Sequence, residues 1–212
     1  IVRGTSFYKS SYFNITGNSY FSTLTDIGKH GEYLTYEALK HLETDNCKFL
    51  FNVYIPKPNG ASTEIDVLLI TPKGIFVLES KNYSGWIFGN EHQMYWTQTL
   101  ISKNSRAIKN SFYNPIKQNS THIKYLKKEI NVNTLFHSII VFSRRCTLKK
   151  LSVGETDAIV IKRPQLKKIV TSVMDSVGVI CLSDAEIQEI FDHLYSYSQT
   201  SDEDKALHVL RI

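Results

Sequence analysis

Two carboxylates and a lysine are spaced so that a β-hairpin would bring them together. Glu64-Ile65-Asp66 lies in the apolar run 63–70, and Glu79-Ser80-Lys81 ends a second run, 75–81, with Thr71-Pro72-Lys73-Gly74 between them. Both runs have strand character, and the intervening tetrapeptide is a turn signal. Side chains alternate faces along a strand, so Glu79 and Lys81 share one face while Leu78 and Ser80 take the other. A four-residue loop around a type I turn sets Ile70 opposite Ile75. Counting back in that register, Asp66 falls opposite Glu79 and Glu64 opposite Lys81. A slip of one residue would send Asp66 to the other face. Carboxylates side by side in an apolar hairpin repel each other and lose solvation. A divalent cation removes that cost, and hard oxygen ligands suit Mg²⁺ or Mn²⁺. A lysine beside it could orient or help deprotonate a water, or stabilise charge developing on a phosphate. A structural ion pair from Lys81 to Glu79 or Glu64 is the alternative, and the segment alone leaves both open.

The elements that must position these groups follow from periodicity and turn chemistry. Residues 29–43 have helical spacing, with Leu34, Ala38, Leu39 and Leu42 on one stripe. Strands are expected at 48–55, 63–70 and 75–81, a fourth around 94–100, and others at 135–142 and 158–161. Pro56-Lys57-Pro58-Asn59-Gly60 separates the first two. Asn114 opens a helix with Pro115 as its first residue, running to about residue 129 with Ile116, Ile123, Leu126 and Ile130 inward. Residues 164–174 and 184–197 read as helices, the latter capped by Ser183 or Asp184. Residues 1–27 lack clean periodicity and are expected to form an irregular arm whose aromatics, such as Tyr20 and Phe21, pack onto the domain. The order is that of a mixed α/β sandwich.

The chain has 212 residues, 42% of them hydrophobic, which excludes disorder and suffices for one domain with a real core. No run is apolar for long enough to cross a bilayer. Cys47, Cys146 and Cys181 are too few and too scattered for a disulfide framework or a cysteine-rich zinc site, and point to a reducing, cytoplasmic compartment. The net charge of +5 conceals a strong asymmetry. Residues 1–100 carry 8 bases and 9 acids, residues 101–170 carry 15 bases and 3 acids, and residues 171–212 carry 2 bases and 8 acids. A basic middle of this kind suits an anionic partner such as nucleic acid, although a solvated face is the commoner reason for any one lysine cluster. The dominance of Lys over Arg, with abundant Ile and Asn, suggests an AT-rich bacterial source.

Asp66 followed at a distance by Glu79-Ser80-Lys81 resembles the D…(D/E)xK signature of the PD-(D/E)xK nuclease superfamily. The surrounding text is more specific. Gly28-Lys29-His30-Gly31-Glu32 opens the first long helix, and Gly74-Ile75-Phe76-Val77-Leu78-Glu79-Ser80-Lys81-Asn82 precedes Gly85-Trp86-Ile87. Trp96 and then Asn114-Pro115-Ile116-Lys117-Gln118 follow. In that order they resemble the nuclease-related domain (NERD) family, over roughly residues 26–143.

That resemblance implies a restriction-endonuclease-like α/β fold: a three-layer α/β/α core with a central mixed sheet over 28–145. The N-terminal arm, 1–27, would precede it, and a helical C-terminal extension, 146–212, would pack on it. It also implies roles. Glu32 would bring a third carboxylate to the metal from across the sheet, Asp66 and Glu79 would be the main ligands, and the Ser80 carbonyl an additional one. Lys81 would be the catalytic lysine, and Gln118 would hold a nucleotide or water. The family commonly has an apolar residue at the position of Ser80, a mild departure because that side chain faces away. Lys117, Lys124, Lys127 and Lys128, on or near the Gln118 helix, could track a phosphate backbone without reading bases.

Each residue also has a plainer explanation. Glu32 suits the first turn of a helix, where the dipole favours an acid, and Gln118 could be merely solvated. Trp86 and Trp96 read as core or sheet-covering aromatics and Gly85 as a turn residue. His30, His122 and His137 lack metal-ligand spacing and read as incidental, with His122 one helical turn beyond Gln118 and able to face the same groove. The expectation is a Mg²⁺- or Mn²⁺-dependent nuclease acting on DNA. Its competitor is a nuclease-like module that binds nucleic acid or protein without cleaving. The chain begins at Ile1, and members of the resembled family often carry an upstream membrane helix. A tether to the inner face of the membrane through residues before Ile1 is therefore also an expectation.

Overall fold

Three short helices occupy the segment expected to be an irregular arm. The computed structural model describes residues 2–199 apart from 103 and 155. In it α1 (Val2–Phe7), α2 (Ser11–Thr16) and α3 (Tyr20–Thr25) lead into α4 (Ile27–Leu39). Six-residue helices are too short to show a 3.6-residue period, and these are held by caps and packing instead. Ser10, Ser19 and Asp26 each accept a backbone N–H in the first turn of the helix that follows. Phe7 and Tyr12 are fully buried in an aromatic cluster with Tyr33, Tyr36 and Phe51. Tyr20 joins this cluster through Phe7, whereas Phe21 is left exposed at the surface.

A short 3-10 turn (Lys40–Leu42) ends α4, and three strands follow: β1 (Lys48–Pro56), β2 (Ser62–Thr71) and β3 (Gly74–Lys81). They form an antiparallel meander in which Ile70 pairs with Ile75, the register expected from the sequence. The connection is tighter than the expected four-residue loop, because Thr71 pairs with Gly74 and only Pro72 and Lys73 form the apex. Gly74 has φ +113, and a Cβ there would stand 2.6 Å from the Leu135 carbonyl oxygen, so both conformation and space call for glycine.

Next come β4 (Gly85–Asn90), β5 (Tyr95–Ile101) and β6 (Ala107–Tyr113), then α5 (Pro115–Ile130). Asn114 caps α5 by accepting from the Ile116 N–H, with Pro115 as the first helical residue. The chain continues through β7 (Phe136–Phe142), β8 (Cys146–Ser152) and β9 (Ile159–Lys162). A 3-10 turn (Arg163–Gln165) leads into α6 (Leu166–Ser176), and α7 (Asp184–Ser198) carries a capping box between Ser183 and Glu186. Residues 200–212 of the expected extension lie outside the described residues.

The strands form two mixed sheets, ordered β1-β2-β3-β7-β9 and β6-β5-β4-β8. In the first, β3, β7 and β9 run parallel. Ser80 contacts α4 while its neighbours Glu79 and Lys81 contact α5. Because adjacent residues of a strand face opposite ways, α4 and α5 cover opposite faces of this sheet. The result is a nuclease-like mixed α/β fold. One apolar cluster runs through the main sheet and its helices, and α7 packs on β1.

The second sheet goes beyond the single central sheet expected, since β4, β6 and β8 give no clear strand signal. Nearly all of β6 is solvent-exposed and β8 carries two adjacent lysines, so neither shows an apolar alternation. Its core is Trp96, fully buried and stacked parallel to Phe142 with ring centroids 6.2 Å apart. A side chain at Gly89 would run into that Trp96 ring. Trp86, by contrast, is partly exposed beneath Lys149. No helix among the described residues is long and apolar enough to cross a membrane.

Candidate active site

The β2–β3 hairpin sets the frame. Regular pairing between the strands runs from Thr71–Gly74 to Val67–Leu78 and then stops, so Asp66 and Glu79 sit where the two strands separate. There the Asp66 Oδ2 accepts the backbone N–H of Ser80 at 2.7 Å in place of a ladder bond. Glu79 is 1% exposed. Its Oε1 lies 2.6 Å from Lys81 Nζ, an ion-pair distance off the direction of a hydrogen bond, and its Oε2 lies 3.1 Å from His122 Nε2. Lys81 Nζ also donates to Gln118 Oε1 at 3.1 Å. Glu79 and Lys81 from β3 thus meet Gln118 and His122 from α5, which lie one helical turn apart.

On the opposite face, Ser80 Oγ meets Thr35 Oγ1 of α4 at 3.2 Å. Gly31 packs so closely there that a Cβ would stand 2.8 Å from the Asn82 Cβ and 3.1 Å from Ser80 Oγ. That close approach brings in Glu32, which is 9% exposed and accepts from Asn52 Nδ2 at 3.0 Å. Asn52 lies in β1 with φ +50, a left-handed conformation that asparagine tolerates better than most residues. It also approaches Glu64 Oε1, which accepts the Tyr54 hydroxyl at 2.6 Å. Glu64 is therefore held by β1 neighbours, and among the described residues the lysine forms its ion pair with Glu79.

Burial pushes the Glu79 carboxyl up, but the Lys81 ammonium and then His122 outweigh it and hold it down at about 2. Burial would lower Lys81, yet Glu79 and then Asp66 raise it above the ordinary lysine range, so it is a cation. Asp66 is driven well above the usual carboxylate range, first by enclosure and then by the charges of Glu79 and Glu32. Glu32 is raised to about 7, chiefly by burial, with Glu64 and Asp26 adding repulsion and the Asn52 hydrogen bond opposing it. Lys81 and His122 outweigh the cost of burying Glu79, whereas for Asp66 and Glu32 burial and neighbouring acids outweigh the nearest cations, Lys81 and Lys29.

That imbalance tests whether a divalent cation suits the site. The donors are hard carboxylate oxygens, matched to Mg²⁺ or Mn²⁺, and a positive charge would relieve the repulsion that raises Asp66. As the side chains lie, at least one oxygen of each carboxylate contacts a protein partner: Asp66 Oδ2 the Ser80 N–H, Glu79 Oε2 His122 and Glu32 Oε2 Asn52. Among the described residues, no three histidine, cysteine or acidic groups are arrayed as ligands. The chemistry of the donor set fits such an ion.

The other residues picked out from the sequence divide clearly. Gln118 and Glu32 are drawn toward Lys81, Asp66 and Glu79, while Lys117 is half-buried next to Gln118. Lys124, Lys127 and Lys128 are exposed farther along α5, where Lys127 lies over Phe136 at the opposite end of β7 from Lys81. His122, read as incidental, is buried against Glu79, with its Nδ1 2.7 Å from Thr63 Oγ1. Its position one turn after Gln118 was the available signal. His30 is half-buried on α4, and His137 caps the hairpin by contacting the Lys73 carbonyl. Asn52 had no signal beyond being a poor strand former.

A mixed α/β core with a D…ExK hairpin, an acid on the preceding helix and a glutamine on the next defines a nuclease-like protein. The family model described as nuclease-related domain matches residues 27–143, more than half of the chain, and the chain belongs to that family, within the PD-(D/E)xK superfamily. An uncharacterized protein of Bacillus anthracis is 35% identical over 164 residues, spanning 77% of this chain and 73% of its own length. No solved structure matches the chain significantly.

Proposed function

We propose that this chain is a metal-dependent nuclease that hydrolyses phosphodiester bonds, with DNA the favoured substrate. The observation that carries the reading is Asp66, destabilised as an anion between Glu79 and Glu32 with the Lys81 ammonium on the same patch. Glu32, Asp66 and Glu79, with the Ser80 carbonyl, would hold Mg²⁺ or Mn²⁺, which when bound supplies charge neutralisation and an acidified water. Lys81, kept cationic, stabilises negative charge developing on the phosphate and orients a water rather than taking its proton. Gln118 holds the lysine head in place through its carbonyl oxygen. Lys117 lies nearest the reacting centre. Lys124, Lys127 and Lys128 lie roughly 9–15 Å farther along α5, a distance suited to flanking phosphates rather than the scissile one. The unpaired cysteines suit a cytoplasmic setting, and a tether upstream of Ile1 would hold the domain at the membrane's inner face.

Cleavage of plasmid and single-stranded DNA with Mg²⁺ or Mn²⁺ tests this. Activity in the wild type should fall to background in Asp66→Ala and Lys81→Ala. Equal activity in all three preparations would sink the assignment. A second reading is an inactive binding module, favoured because Lys81 and His122 already occupy the Glu79 oxygens. Under it, Mn²⁺ titrated by calorimetry gives no binding heat, and DNA binding survives loss of Asp66 and Glu79.

A further inference from the structure

The parallel strands β3, β7 and β9 finish in one row, with Lys81 beside Phe142 and Phe142 beside Lys162. Each strand continues into a polar or basic residue at the same sheet edge: Asn82 after β3, Arg144 and Arg145 after β7, Arg163 after β9. The space beyond the carboxyl ends of parallel strands is the usual ligand position in an α/β sheet. The hub is Asn82, 8% exposed, whose amide donates to the Ile27 carbonyl at the start of α4. Arg145 Nη2 donates to the Asn82 carbonyl at 2.8 Å and approaches its Oδ1 at 3.3 Å, while its backbone N–H is fixed on Ser143 Oγ at 2.9 Å. Arg163 Nη2 reaches the same Oδ1 only at 3.5 Å, the outer limit of a hydrogen bond.

This gathering is costly as it stands. Among the described residues, no carboxylate pairs with Arg144, Arg145 or Arg163. The Arg163 Nε is buried without a hydrogen-bond partner. Burial, then the charges of Arg145 and Arg144, depress Arg163 to about 10. Unpaired guanidinium groups are rarely brought together and partly desolvated without an anion, and the planar guanidinium fork matches phosphate oxygens. Arg144 and Arg145 are exposed, so the cluster is open to a ligand from solvent.

We infer that Arg145 and Arg163, gathered around Asn82, form a phosphate-binding site immediately beside Lys81 that grips a phosphate group of the nucleic-acid strand. The site deepens the nuclease reading and rests on it for the identity of the strand. It lies at the sheet edge, distinct from the lysines of α5. The phosphate is either a strand end or an internal diester next to the scissile bond, and both use the same fork.

Calorimetric titration of the full chain with inorganic phosphate, without metal, tests the site. Arg163→Gln and Arg145→Gln should each weaken phosphate binding about tenfold or more, the loss of a charge-assisted contact. In phosphate-free buffer, Arg163→Gln should melt no lower than the wild type, because the charge it removes is unpaired. Should Arg163→Gln not fold, the exposed Arg145→Gln decides alone. Absence of phosphate binding by the wild type, or unchanged affinity in the variants that fold, overturns the proposal. Oligonucleotides with and without a 5′-phosphate assign the source. If the wild type prefers the phosphorylated strand and the variants do not, the site holds a strand end. Equal weakening for both oligonucleotides assigns an internal diester. Arginine-dependent phosphate binding without cleavage would remove the nuclease reading and leave this site, whereas cleavage without phosphate binding would do the reverse.

Discussion

At the residue scale, His122 shows how a buried carboxylate is kept ionised. An ionised Glu79 can only accept, so His122 Nε2 carries the proton facing it, and its Nδ1 is held 2.7 Å from the Thr63 hydroxyl. His122→Ala leaves a buried carboxylate oxygen without its partner. The expected cost is about 1–3 kcal/mol, or a melting temperature lower by roughly 2–4 °C per kcal/mol in a chain of this size. An unchanged melting curve would show that the imidazole does not hold Glu79. Asp66 and Glu32 behave oppositely, because their folded-state affinities for protons are raised. A raised carboxyl contributes stability that is present at acid pH and lost as pH climbs through its folded value, about 7 for Glu32. Glu79, depressed to about 2, gives up its contribution only in strong acid. Without metal, the protein should therefore lose stability as pH rises from the ordinary carboxylate range to about 7, where Glu32 ionises, with Asp66 adding a loss of the same sign. Glu32→Gln should flatten that decline, and Mn²⁺ should raise the melting temperature more at the alkaline end. A wild-type melting temperature constant over the range would contradict the charge imbalance.

At the element scale, the contact between α4 and β3 places Glu32 relative to Asp66, and Gly31 is what permits it. Alanine would favour the helix by about 1 kcal/mol. Its Cβ, however, would stand 2.8 Å from the Asn82 Cβ, and overpacking of that kind costs about 1–3 kcal/mol. Gly31→Ala should thus leave stability little changed or slightly lowered, while pushing α4 outward and reducing cleavage severalfold. Full activity at normal stability would mean that Glu32 needs no exact distance from the hairpin. This contact also marks how far the sequence could be read. The hairpin register was legible because the Thr71–Gly74 turn sets Ile70 opposite Ile75, and a slip of one residue would send Asp66 to the other face. The helices α4 and α5 were legible from their apolar stripes and from Asn114-Pro115. What stayed hidden depends on tertiary context: the six-residue helices stabilised by Phe7 and Tyr12, and strand β6 with almost no buried face. The left-handed Asn52 that reaches Glu32 belongs with them, since no local pattern marks it.

At the scale of the whole molecule, the basic middle of the chain divides into two surfaces. Exposed lysines line α5, and arginines gather beyond Lys81, with the acidic hairpin preceding both in sequence and touching α5 through Gln118 and His122 and Arg145 through Asn82. Electrostatic binding of this kind obeys counterion release, in which log affinity falls with log salt by about 0.9 per phosphate neutralised on duplex DNA. If α5 contacts flanking phosphates, replacing Lys124, Lys127 and Lys128 with alanine should weaken metal-free duplex binding at low salt. The salt slope should also fall by up to about 2.7, one contact for each lysine. At a pH high enough to ionise Asp66, Asp66→Asn should act in the other direction and tighten metal-free binding, because it then removes negative charge from the place the backbone must approach. The two effects should add, since the lysines and Asp66 share no partner. Fluorescence anisotropy of a labelled duplex across a salt series measures both. A triple-lysine variant with the wild-type slope would show that the phosphate backbone does not run along α5 and would leave the arginine edge as the surface that holds it.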